Sequence, residues 1–451
     1  MKKRTFLKLS TAALTGAALS PILSCTSGLK TDSEIKNWAG NLTYHAKYLL
    51  EPATVGEVQH ALANHASVRV LGTRHCFNTI ADTEATLLST AKLNKIIAID
   101  RANMTVTVEG GIRYGEFCKE IHAAGFAIHN LASLPHISVA GACATATHGS
   151  GVYNGNLATQ VVALELVTAT GEVLNISRAS NADLFDAAVV SLGSFGVVTK
   201  VTMDLVPAFE VRQDVFLNLP MEQLQANFVE LMSGGYSVSL FTDWQSDAIN
   251  QVWVKSVVNP DVPFEIGDNY YGASRADRNV HPIIALSAEH CTEQMGIPGP
   301  WYERLPHFKM GFTPSSGEEL QAEYFVPLAS AVDAIEAVAT LREEIKPYIL
   351  ITEIRSIAAD AFWMSPCYQQ ASVAIHFTLK QDIAGVNAIL PKIEATLAPF
   401  QAKPHWGKLF TLDAATLRAR YPRIEDFKNQ VVKLDPDKKL RNEFIDHYIF
   451  G

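Results

Sequence analysis

The feature that most constrains this chain is a strand-like run, Ser67-Val68-Arg69-Val70-Leu71-Gly72, leading into the turn Thr73-Arg74-His75-Cys76-Phe77-Asn78. An imidazole on a glycine-started turn at a strand end sits beside backbone N–H groups that can face an anion. A second loop of small residues and hydroxyls follows, from Leu134-Pro135-His136-Ile137-Ser138-Val139-Ala140-Gly141 into Thr145-Ala146-Thr147-His148-Gly149-Ser150-Gly151. Two such loops can hold the pyrophosphate of a dinucleotide from both sides. No Gly-x-Gly-x-x-Gly follows the first strand, so the nicotinamide type of dinucleotide fold is not indicated.

Around these loops short elements alternate. Thr54 is placed to cap a helix whose first turn holds Glu57, and Val58, Ala61, Leu62 and His65 fall at helical spacing. Residues 96–100 and 105–109 read as strands joined by the turn Arg101-Ala102-Asn103-Met104, and 114–124 as a helix. Further strands are expected at 161–170 and 197–203, and Gly193-Ser194-Phe195-Gly196 suits a close backbone approach to a planar ring or to a neighbouring sheet. The pattern predicts an α+β domain over 37–207. From about 208 onward a second α+β unit is expected, in which 240–258 offers no chemistry.

The informative strands come late. In Ser372-Val373-Ala374-Ile375-His376-Phe377-Thr378-Leu379, alternation puts Val373, Ile375, Phe377 and Leu379 on a core face and Ser372, Ala374, His376 and Thr378 on a face that must meet something polar. Glu353 and Arg355 share a face of the strand over 348–357, and Lys408 is placed on the same side as Trp406 in a third candidate strand over 404–410. Charged groups in apolar strands are costly unless paired or facing a wet cavity. Singly, each has a structural reading: an in-strand ion pair, a snorkelling lysine, a satisfied core histidine. Four of them on three segments are harder to account for one by one.

These motifs together resemble the vanillyl-alcohol-oxidase superfamily, and in detail its alditol oxidases and the related aldonolactone oxidases. The resemblance rests on the two loops and, in order, on Glu323-Tyr324-Phe325-Val326-Pro327, Thr352-Glu353-Ile354-Arg355, Val373-Ala374-Ile375-His376-Phe377-Thr378, Pro404-His405-Trp406-Gly407-Lys408 and Leu434-Asp435-Pro436. It implies a two-subdomain PCMH-type FAD-binding domain followed by a substrate (cap) domain over 208–451 with a large antiparallel sheet. It implies FAD bonded covalently through the ring of His75, with Cys76 standing where the family usually has Ser. Cofactor contacts are implied for Gly72, Thr73, Arg74, His75, Cys76, Asn78, Ser133, Ser138, Gly141, Thr145, Ala146, Thr147, His148 and Val198, and the 193–196 segment is placed at the flavin edge.

The same resemblance implies oxidation of the terminal hydroxyl of a polyol such as xylitol or sorbitol, with the electrons passing to oxygen to give hydrogen peroxide, or to a quinone or haem protein. Arg355 and Lys408 would supply the field beside the reacting oxygen, and Glu353 would accept from a hydroxyl and orient Arg355. Thr378 and Ser133 would grip neighbouring hydroxyls. His376 is the preferred proton acceptor or relay, with Lys408 as the alternative if burial lowers its pKa. Ala132 occupies the place of the small residue that governs oxygen access. An aldonolactone oxidase or dehydrogenase, and an exported flavin-binding protein without turnover, are the competing readings.

Composition bounds the rest. At 451 residues, 48% hydrophobic and 18% charged, the chain is long enough for two or three packed domains and carries no disorder signature. A net charge of −9 argues against a nucleic-acid partner. Lys2-Lys3-Arg4 ahead of an apolar stretch ending Ile22-Leu23-Ser24-Cys25 has the layout of an export peptide over 1–25, similar to a twin-arginine signal with a lipobox. An exported, periplasmic or cell-envelope protein is therefore expected, tethered to the membrane if Cys25 is acylated. The five later cysteines are unevenly spaced and odd in number, so free thiols and no metal site are expected.

Overall fold

The computed structural model describes residues 34–259, 261, 266–311 and 318–451, together with the backbone of 29–30. The export-type segment 1–25, including Cys25, lies outside the described residues. The elements around the His75 turn form where the sequence pattern places them. Thr54 Oγ1 accepts from Glu57 N at the start of the Val55–Asn64 helix, satisfying one of its orphan N–H groups. Val58, Ala61 and Leu62 of that helix are buried against Val68 and Leu88. The Val68–Leu71 strand pairs in parallel with Thr86–Ser89, which pairs in parallel with Tyr48–Leu50, and the small sheet thus ends at the His75 turn.

A second sheet is antiparallel throughout, in the order Ile96–Asp100, Thr105–Glu109, Val197–Asp204, Val161–Val167, Val173–Ser177. Its inward residues, among them Val106, Val108, Leu164, Val201 and Met203, pack on Phe117 and Ile121 of the Tyr114–Ala123 helix. Each such aliphatic side chain, removed from water, contributes roughly 1.5–3 kcal/mol. The two sheets are the two subdomains expected of the N-terminal part.

Beyond residue 208 the chain builds one large antiparallel sheet, with ten strands among the described residues. Its middle runs Glu210–Pro220, Ala248–Val258, Ser237–Thr242, Ile349–Ile357, Ser372–Lys380, Glu319–Pro327. Val373, Ile375, Phe377 and Leu379 do face the core, with Leu320, Ala322 and Tyr324 beside them and the Ala331–Ala339 and Ile383–Leu397 helices covering that side. The opposite face of the sheet is turned to the N-terminal part. The end of the chain returns to that part: Leu417, Tyr421, Phe427, Val431, Phe444 and Ile449 join the core that contains Val108, Phe117 and Phe185. Among the described residues no helix is long and apolar enough to cross a membrane.

Candidate active site

One cleft lies between the His75 turn, the 132–148 loop and the polar face of the large sheet, and most of the chemistry-bearing side chains line it. On the loop side the walls are backbone and small residues. Arg74 and Ala146 both adopt left-handed backbone, φ 63° and 54°, a conformation non-glycine residues resist, and each sits next to a cleft-lining residue. Thr73 Oγ1 accepts from Ser138 N at 3.2 Å and so ties one loop to the other. A side chain at Gly72 would bring its Cβ within 2.6 Å of Ser138 Oγ on the other loop, so glycine there lets the two loops meet this closely.

His75 is held in this setting without being used up. Trp38 stacks on its ring at 5.5 Å and 18°, and Nδ1 lies 3.1 Å from Thr73 Oγ1. Nε2 is buried with no hydrogen-bond partner. Burial, then His136, pushes the ring's pKa down to about 4, so a neutral nitrogen lone pair is available at neutral pH. Burial pushes the neighbouring Cys76 thiol up to about 11, which keeps it protonated and unreactive.

On the sheet side, register does the assembling. His376 is directly opposite Glu353 on one neighbour and Glu323 on the other, so three adjacent strands place a carboxylate, an imidazole and a carboxylate in one row. Lys408 reaches this row from a turn closed by Lys408 N donating to His405 O, and its Nζ donates to Glu323 Oε2 and His376 Nδ1, both at 2.8 Å. Arg355 Nη1 donates to Ser133 Oγ at 3.1 Å, which joins the sheet to the loop side. Arg355 Nε is 3.4 Å from Glu353 Oε1 but is not aligned for a hydrogen bond, and so remains a buried, unspent donor aimed at this cluster.

Glu323 is the hub. Burial would raise its carboxyl pKa, but Lys408 and His148 beside it outweigh that cost and hold it well below the usual range. Glu353 is likewise buried and held low by Arg355 and then His307. Burial, then Lys408, pushes His376 down to about 4, and burial lowers Lys408 itself. With the Lys408 ammonium donating to His376 Nδ1, the ring hydrogen sits on Nε2, 3.3 Å from Thr378 Oγ1. One N–H of Lys408 is left for a ligand oxygen.

The sequence-predicted residues therefore converge: Glu353, Arg355, His376, Thr378 and Lys408 line the cleft opposite a loop side of Gly72, Thr73, Arg74, His75, Cys76, Ala132, Ser133, Ser138, Gly141, Thr145, Thr147 and His148. Asn78, Ala146 and Val198 do not line it. Asn78 instead spends its amide on the carbonyls of Trp406 and Lys408, at 2.9 and 2.8 Å. The 193–196 segment is also away from the cleft. Gly196 abuts Val167 O, and Phe195 stacks on Phe427. Lys408 and Trp406 do not share the face of a strand. The strand there covers only Lys403–Pro404, Trp406 is buried with Nε1 on Met364 O, and a turn carries Lys408 the other way.

Three residues of the site escape the sequence pattern as read above. Glu323 follows Glu319 and Gln321 at period two against Leu320, Ala322 and Tyr324, a signal as clean as that of His376. Lys255 sits inside the stretch expected to carry no chemistry, yet Gln251, Trp253 and Lys255 alternate on the polar face there. His307, in an irregular segment, has no periodic signal at all.

The loop side fits FAD on its own terms: a close approach of the two loops at Gly72 that a Cβ would crowd, and a buried ring nitrogen without a partner. Among the described residues no group of His, Cys, Asp or Glu forms a metal-binding cluster, and the five cysteines of the described chain are free. A family model described as an FAD binding domain matches residues 46–177, and one described as D-arabinono-1,4-lactone oxidase matches 316–448. The chain is 45% identical to an alditol oxidase of a Streptomyces species, over 92% of this chain and 99% of that one. It is 28% identical to an L-gulono-1,4-lactone dehydrogenase of Mycobacterium tuberculosis, over 90% and 97%. It shares its fold with the cholesterol oxidase of B. sterolicum, at a TM-score of 0.73 with 15% identity, over 92% and 96% of the two chains. The PCMH-type FAD fold, the flavin cleft and these likenesses agree: the chain is an FAD-dependent flavoprotein that belongs to the alditol oxidase family.

Proposed function

We propose that the protein oxidises the terminal hydroxyl of an alditol such as xylitol or sorbitol to the aldose, with oxygen reduced to hydrogen peroxide. The carrying observation is the Glu323–His376–Glu353 row, with Lys408 and Arg355 set against it across the cleft from His75. When bound, FAD supplies the two-electron acceptor that takes a hydride from the substrate carbon and passes the electron pair to oxygen. The reacting hydroxyl sits against Lys408 Nζ; passing one ammonium proton to His376 Nδ1, 2.8 Å away, gives Lys408 a lone pair that takes the hydroxyl proton, so the proton released by the alcohol is held by the Lys408–His376 pair. Arg355 Nε stabilises the charge developing there, while Glu353, Ser133 and Thr378 accept from or donate to the neighbouring hydroxyls. Ala132, small and lining the cleft, leaves room for oxygen.

His75 carries FAD covalently on this reading, supported by its neutral, buried and unpartnered nitrogen. Yellow colour remaining with acid-precipitated protein tests the linkage. Residues 37–207 hold the cofactor and 208–451 supply the substrate face, with the C-terminal helices returning to the first part. Residues 1–25 direct export and Cys25 anchors the mature protein to the cell envelope. Lipid mass on Cys25, with release by Cys25→Ser, checks that.

The matched lactone-oxidase family and the lactone dehydrogenase relative support one competing reading, oxidation of an aldonolactone. Anaerobic flavin reduction and steady-state rates on xylitol, sorbitol and gulonolactone separate the two. Turnover of the lactone alone overturns the alditol reading.

A further inference from the structure

Lys255 is only 1% exposed, and the reaction above does not use it. Among the described residues no carboxylate lies within ion-pair distance of its Nζ. An ammonium carries three N–H donors, and three acceptors surround this one: Leu305 O at 2.5 Å, Pro306 O at 3.1 Å and His307 Nδ1 at 3.1 Å. Accepting at Nδ1 forces the hydrogen of the neutral His307 ring onto Nε2. That nitrogen lies 2.6 Å from Glu353 Oε1. The side-chain contacts of Glu353, with His307 and with Arg355, both fall on Oε1, which leaves Oε2 for a ligand. The same segment also sets the other wall, since His307 N and Phe308 N donate to Ser133 O at 3.1 and 3.3 Å.

We propose that Lys255 and His307 are a positioning pair: the lysine fixes the tautomer of the histidine, and the histidine holds Glu353 with one oxygen turned to a substrate hydroxyl. The nature of that hydroxyl rests on the alditol reading. The pair itself can be tested with whichever substrate turns over.

Losing the Lys255 proton would reverse the arrangement. A neutral amine can accept from Nδ1–H, the ring hydrogen leaves Nε2, and two acceptors then face each other 2.6 Å apart at Glu353. The groups facing Lys255 are Glu353 and Arg355 from the Ile349–Ile357 strand, and Cys291 and His307 from the segments crossing above it. Burial brings Lys255 down to about 7. Substrate KM is therefore expected to rise as pH passes upward through neutrality.

The experiment measures kcat and KM from acid to alkaline pH on the flavin-loaded enzyme, with xylitol and with gulonolactone. Lys255→Met is expected to raise KM about tenfold, the usual cost of an unpaired buried acceptor, with kcat within about threefold and no alkaline rise in KM left. His307→Gln keeps a donor for Glu353 whatever the state of Lys255, so it should recover most of the affinity lost in His307→Phe and also lack the alkaline rise. A flat wild-type KM profile, or a Lys255→Met enzyme with wild-type KM, overturns the pair. So does equal loss of kcat, KM and flavin in every variant, because that marks a folding role. Should Lys255→Met not fold, an alkaline rise persisting in His307→Gln overturns it and its loss supports it. Turnover of gulonolactone without xylitol overturns the alditol reading alone, since the KM profile is then read with the lactone.

Discussion

The two walls of the cleft are built by opposite means. The cofactor wall is loops: glycines, hydroxyls, two left-handed residues and one embedded ring, with specificity carried by backbone shape. The substrate wall is regular strands, on which period-two alternation sets carboxylates, a histidine and an arginine on one face, with a lysine brought in from a turn. A flat, invariant cofactor is served by a cradle that excludes side chains, whereas a flexible polyhydroxylated ligand is served by a dense set of donors and acceptors. The difference also sets where charge is buried: the carboxylates and cations that must neutralise one another sit almost entirely on the sheet side.

The broadest break of this comparison is by acid. His75 and His129 near the loops and His307 and His376 on the sheet side are each pushed down to about 4, chiefly by burial. The unfolded chain binds protons at these rings near pH 6.5 and the folded chain does not until about 4, so stability is present above that window and is lost as pH falls through it. Glu323, held low by its partners, adds loss in the same direction below about 4.5. Tm measured against pH should fall steeply on the acid side, and His376→Gln should flatten the slope. An unchanged slope in that variant would show that the ring is not held neutral. Next in size, Glu323→Gln leaves Lys408 without its carboxylate and should cost about 3–5 kcal/mol in urea unfolding.

Lys408→Met should lower kcat roughly 10²–10³-fold and slow substrate-dependent bleaching to match while the yellow colour stays, which would separate the walls functionally. Asn78→Ala breaks two hydrogen bonds to the Lys408 turn and should cost about 1–3 kcal/mol while loosening both walls together. The smallest effect belongs to Cys76→Ser. The thiol is half-buried and held protonated against Gly407, so flavin retention and kcat should change by less than about threefold.

The same contrast accounts for how much of the fold and site the residues alone reveal. Glu353, Arg355, His376 and Thr378 are legible because polar groups at every second position of an apolar strand must face a partner or a wet cavity. Glu323 obeys that rule and is legible by it. Lys408 belongs to the expected wall but reaches it by a different geometry: a turn, not alternation, separates it from Trp406. His307 is illegible because its partnership with Glu353 spans 46 residues and depends on where a loop crosses the sheet. Asn78 sits inside a motif whose neighbours touch the cleft, and nothing local shows that its amide is spent elsewhere.

That amide has a consequence of its own. Phe77 N donates to Gly407 O and Asn78 grips the carbonyls on either side of Gly407, so the turn bearing His75 and the turn bearing Lys408 are a single fastened piece, although 330 residues separate Asn78 from Lys408 in the chain. Distance from ring to lysine is thereby set by main-chain hardware rather than by whatever molecule enters. Substitutions farther out along the sheet, at Gln321 or Thr378, can then retune which ligand is welcomed without moving the place where electrons change hands.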